Sequence, residues 1–91
     1  MNSELLVKGA IIDSWVEGNH TQGESPRLVL QVAPRGRPRE MVIVEAEASL
    51  VPDSGWLEDL GANLCHGSPV SATVRQTIGG LFRASSLQLV R

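Results

Sequence analysis

The sequence predicts a small all-β domain with a single helix, its elements ordered strand, strand, strand, helix, strand, strand. Three observations point there. Runs rich in Val, Ile, Leu and Thr alternate at period two and are separated by clusters of Gly, Pro, Asn and Asp. Between the third and fourth runs alone, apolar residues recur at helical spacing. The chain has 91 residues, 42% of them hydrophobic and 20% charged, which supports one core but not two. Residues 1–91 are therefore expected to form a single domain.

The first run, Leu5 to Val16, is long for a strand and holds Gly9. An interior glycine there predicts a bulge or sharp bend, which a small barrel needs in order to close. Glu17 to Ser25, with Gly18, Asn19 and Gly23, has the composition of a loop. Arg27 to Val32 is the second strand, with Leu28, Leu30 and Val32 on one face. Pro34-Arg35-Gly36-Arg37-Pro38 is a turn, because each proline removes a ladder donor and Gly36 tolerates a positive φ. Met41 to Ala48 is the third strand, with Val42, Val44 and Ala46 facing one way and Met41, Ile43, Glu45 and Glu47 the other.

Pro52-Asp53-Ser54 opens the helix, where Asp53 or Ser54 can cap it. Glu58 and Asp59 fall early enough to suit the helix dipole. Trp56, Leu57, Leu60 and Leu64 form its apolar stripe, and Gly67 and Pro69 end it. Two strands follow, Val70 to Thr77 and Leu81 to Val90, joined by a tight loop at Ile78-Gly79-Gly80.

With these elements in place, the chain resembles an OB-fold, a five-stranded Greek-key barrel with a helix between strands three and four that plugs one end. The segment Gly67-Ser68-Pro69-Val70-Ser71-Ala72-Thr73-Val74, then Gly79-Gly80-Leu81-Phe82-Arg83-Ala84-Ser85-Ser86-Leu87-Gln88-Leu89, carries the likeness. It is similar to the closing hairpin of bacterial single-strand-binding proteins and of tRNA-anticodon-binding-like OB domains. The resemblance implies an oligonucleotide-binding module, with ligand held on the outer face of strands two and three and by neighbouring loops. Fold by itself does not fix function, so the residues must be weighed.

Composition limits the choice. The net charge is −2, whereas dedicated nucleic-acid binders usually carry a basic excess, so any such role must rest on a local patch. Aromatics are confined to Trp15, Trp56 and Phe82. A single Cys65 allows no internal disulfide, and the residues after Met1 lack the basic start and apolar run of a signal peptide. No apolar stretch approaches the ~18–20 residues of a membrane span. The expectation is a cytoplasmic protein with no membrane association.

The strongest local patch is Arg35-Gly36-Arg37-Pro38-Arg39. The planar fork of arginine donates two hydrogen bonds to one phosphate, and the resemblance puts this turn where single-strand binders hold their strand. A basic hairpin tip also limits edge pairing and aggregation without binding anything. The same turn spells Arg-x-x-x-Arg, as in the cyclic-dinucleotide motif of PilZ domains, but the second element Asp-x-Ser-x-x-Gly is absent. Arg75 and Arg83 are further candidates against phosphate, and Trp15 can stack on a base or pack against a loop. The outer face of strands two and three carries Val29, Gln31, Met41 and Ile43 where single-strand binders place aromatics. Clustered aliphatics there point instead to a protein partner or a second copy of the chain.

Cys65, His66 and His20 fall short of the paired spacing of a structural zinc site. No nucleophile elbow or phosphate-binding glycine loop frames the Ser, His and Asp residues, and Gly79-Gly80 is a hairpin turn by context. The expectation is a binding module that is not an enzyme and holds no cofactor or metal. Single-stranded nucleic acid is the first ligand class and a protein partner or homo-oligomer the second.

Overall fold

The computed structural model describes residues 4–18, 26–51, 54–62, 66–77 and 81–89. Five strands, β1 (Leu5–Glu17), β2 (Arg27–Pro34), β3 (Val42–Glu47), β4 (Pro69–Gln76) and β5 (Phe82–Leu89), close into a barrel in the order β1-β2-β3-β5-β4. A short 3₁₀ turn, Ala48–Leu50, and one helix, α1 (Ser54–Gly61), lie between β3 and β4. Neighbours run antiparallel except β3 and β5, which are parallel and matched only at Val44↔Phe82 and Glu45↔Arg83. This is the all-β architecture with one helix that the residue pattern predicts, and it is consistent with an OB-like fold.

The barrel closes because β1 belongs to both of its walls. Leu5 to Ala10 pair with β4 from Val74 back to Pro69, while Gly9 to Glu17 pair with β2 from Pro34 back to Arg27. At Gly9 the strand therefore has partners on both edges, Pro34 and Val70. A Cβ at Gly9 would run into the backbone carbonyl of Ala33, with Pro34 Cα only 2.9 Å away. Glycine is required here for closeness and not for a special dihedral. The bulge expected at this residue sits three positions on, where the register slips between Ile11 and Asp13 and leaves Ile12 unmatched and exposed.

Inside, the period-two residues meet. Ile11, Leu28, Leu30, Val32, Val44, Ala46, Val70, Ala72, Val74 and Ala84 form one buried cluster, joined from the helix by Trp56 and Leu60. The helix lies chiefly against β1, where the buried Ser14 hydroxyl donates to the Leu60 carbonyl. That carbonyl is one of the last of the helix and has no partner within it. Phe82 packs inward against the same core.

Two details of the helix and one of the strands differ from expectation. Leu57 is only half-buried. Glu58 and Asp59 lie beyond the first turn, which holds no acidic residue, and so stand outside the reach of the N-terminal dipole. Strands β1 and β2 each run on past their expected ends, to Glu17 and Pro34, because each still has a partner to pair with there. The expected cap Asp53, the stripe residue Leu64, the loop residues Asn19, Gly23, Ile78, Gly79 and Gly80, and Val90 lie outside the described residues. So do His20 and Cys65.

Candidate nucleic-acid interface

The basic turn is built from two successive tight turns. The Arg37 amide donates to the Pro34 carbonyl at 3.2 Å, and the Glu40 amide donates to the Arg37 carbonyl at 3.0 Å. Gly36 has φ +84°, the value required at the third residue of a type II turn, and nothing lies within 4 Å of where its Cβ would stand. It is glycine for its dihedral alone. Pro38 takes the second position of the next turn, where its ring pre-sets φ. The first turn is pinned to the barrel wall by the Arg35 amide, which donates to the Lys8 carbonyl at 2.8 Å.

Residues 35–40 are all exposed. Arg37 forms an exposed i,i+3 pair with Glu40 at 3.6 Å, a contact worth little in water. Arg35, Arg39 and nearby Lys8 form no ion pair among the described residues.

The other expected cations are engaged. Arg75 pairs with Glu4 at 3.2 Å and Arg83 with Glu45 at 3.2 Å. Glu45 also takes Arg27 at 3.3 Å, and Arg27 reaches Glu17 at 3.7 Å. A chain of alternating charge, Glu17–Arg27–Glu45–Arg83, thus crosses the outer face of β1, β2, β3 and β5. The register puts Asp13 and Glu47 on this face as well. It carries four carboxylates against two guanidiniums and so repels phosphate on balance.

The same ladder corrects the expectation for Val29. The valine does face outward, opposite Trp15 and Glu45, yet it is only 4% exposed. The neighbouring side chains on β1 and β3 flank it there, and at this exposure it offers little surface to a partner. Met41 and Ile43 do remain accessible, at 49% and 38%. Trp15 is half-buried beside Val29 with its indole N–H donated to Glu17 Oε1 at 2.9 Å. Its ring edge is committed to a carboxylate. With Phe82 packed against the core, Trp15 is the one aromatic ring on that face among the described residues, and its edge is tied to Glu17.

Sequence reasoning missed the surroundings of Arg35. A hollow of about 310 Å³ lies beneath the turn, walled by Gly9, Ala33, Pro34, Arg35, Pro38 and Pro69. A second, of about 190 Å³, shares Gly9, Arg35 and Pro69 with it and adds Lys8, Ser71 and Gln88. The signal for this was present only in the register. Lys8, Ser71 and Gln88 come from three strands and are cross-strand neighbours.

His66 Nε2 lies 3.5 Å from Asp13 Oδ1, and among the described residues no group of three His, Cys, Asp or Glu side chains converges. No described helix is long and apolar enough to cross a membrane. No family model matches the chain, and no curated protein or solved structure matches it.

Proposed function

We propose that this chain is a non-enzymatic binding module, related in kind to single-strand-binding OB domains, that holds the phosphate backbone of a single-stranded nucleic acid at the β2–β3 turn. The observation that carries the reading is the state of the arginines. Among the described residues, Arg35 and Arg39 are exposed and without ion pairs, and Arg37 has one weak, exposed pair. Arg75 and Arg83, by contrast, are held by carboxylates. The strand therefore runs along the turn and not over the acidic outer face of β2 and β3.

Three phosphate contacts on a single strand release counterions such that log affinity falls with log salt at a slope of about −2. Binding is micromolar or weaker, with little sequence preference, because residues 34–40 of the turn carry no aromatic ring to add the ~1–3 kcal/mol per base of a stack. The test is a fluorescence-anisotropy titration with single-stranded DNA and RNA at low and moderate salt, repeated on Arg37→Ala/Arg39→Ala. The wild type shows the salt slope and the double variant loses most of the affinity. No binding at low salt, or binding indifferent to the substitution, removes the turn as the site.

A second reading follows from Met41 and Ile43, apolar and exposed side by side where β3 begins. They mark a contact for a protein partner or a second copy of the chain. Sizing across a dilution series checks self-association. A concentration-dependent dimer that Ile43→Glu dissolves supports it, and a strict monomer at high concentration leaves only a different partner.

A further inference from the structure

We infer that the joined hollows beneath Arg35 form a subsite for one nucleotide of the strand, with the phosphate between Arg35 and Lys8 and the sugar and base on the neutral floor beside them. The inference rests on the proposed strand binding and names where along the barrel the strand is gripped.

The lining decides the ligand class. The smaller hollow brings two cations, Lys8 and Arg35, to a hydroxyl and an amide, Ser71 and Gln88, and no carboxylate among the described residues lines either hollow. Neither cation has an ion pair among the described residues, so neither must break one to bind an anion. In a chain of net charge −2, a hollow whose charged lining among the described residues is cationic favours anions. Arg35 is exposed but its backbone is fixed by the bond to the Lys8 carbonyl, which holds the roots of the two cations together.

The larger hollow has a different character. Gly9, Ala10, Ala33, Pro34, Pro38 and Pro69 give it a floor of small side chains and proline rings. Such a surface makes van der Waals contact with a sugar and a base edge without selecting among bases. Its volume, about 310 Å³, sits at the lower end of ordinary ligand sites, about 300–1,000 Å³, which suits one small ligand. A free inorganic anion would use the polar end and leave the floor empty. A nucleotide uses both.

The experiment is an amide-resolved NMR titration of the intact chain with a nucleoside 5′-monophosphate, inorganic phosphate and the unphosphorylated nucleoside in separate arms. The monophosphate is expected to shift Gly9, Arg35 and Ser71 saturably, with phosphate and nucleoside each binding about tenfold more weakly or less. Lys8→Gln, an exposed substitution whose folding a melting curve verifies, lowers monophosphate affinity by about tenfold, the scale of one charged hydrogen bond. Shifts confined to Trp15 and Ile43, no saturable shift at Gly9 and Ser71, or indifference to Lys8→Gln each overturns the subsite. Strand binding that persists through Lys8→Gln sinks the subsite while sparing the turn. Monophosphate binding without strand binding does the reverse.

Discussion

A residue's type is legible in the sequence, but its availability is decided by what lies across the strand. The arginines make the point. Arg83 and Glu45 are 38 positions apart in the chain and 3.2 Å apart in space, because β3 and β5 meet in parallel. No spacing rule links them, so Arg83 passes for a free cation until the register is known. The basic turn was readable because its chemistry is local, from the prolines through Gly36 to the arginines. Val29 was placed on the correct face by period two, and its burial was hidden because the covering groups come from β1 and β3. Gly9 shows the same limit, since it signals an irregular strand without saying which kind. Its replacement is a sharp test at this scale. Gly9→Ala forces β1 and β2 apart at the pinch, and overpacking of this sort costs about 1–3 kcal/mol. In a domain of this size each kcal/mol shifts Tm by about 4–8 °C. A thermal melt should show a drop of at least several degrees, and an unchanged Tm would mean that β1 yields without cost.

Elements were legible where one periodicity ruled and blurred where two partners competed. The β2–β3 hairpin follows directly from alternation on either side of a proline-rich turn. The long β1 read as one strand, yet its two halves serve different walls, and the bulge that lets it do so falls on Ile12, which no local signal marks. The helix was visible through Trp56 and Leu60, and its seat against β1 depends on Ser14, an unremarkable serine in a strand. The plug should matter as much as any strand. Trp56 is 7% exposed within the core cluster, and removing a buried tryptophan costs about 3–5 kcal/mol. Urea unfolding of Trp56→Ala is expected to show a clearly lowered midpoint. A midpoint near the wild-type value would mean that the barrel stands without its helix.

At the scale of the molecule, net charge conceals a division. The wall made by β1, β2, β3 and the start of β5 is acidic and laced with ion pairs, whereas the seam of β1 and β4 near the turn carries Lys8 and Arg35, neither in an ion pair among the described residues. A composition of −2 excludes a uniformly basic binder and says nothing of this split, which only barrel closure creates. Closure itself is uneven. β1 shares eight matched residues with β2 and six with β4, while β3 and β5 share two. The barrel therefore has a latch. Brief separation of β3 from β5 sacrifices little pairing and turns the closed cylinder into a curled open sheet with two bare edges, each able to accept a strand from another chain. Hydrogen exchange should register this as amides of β3 and β5 at the seam exchanging well before those along β1 and β2. Uniform protection around the cylinder would mean that side-chain packing, with Phe82 and Val44 beneath the seam, locks what two residue pairs alone cannot.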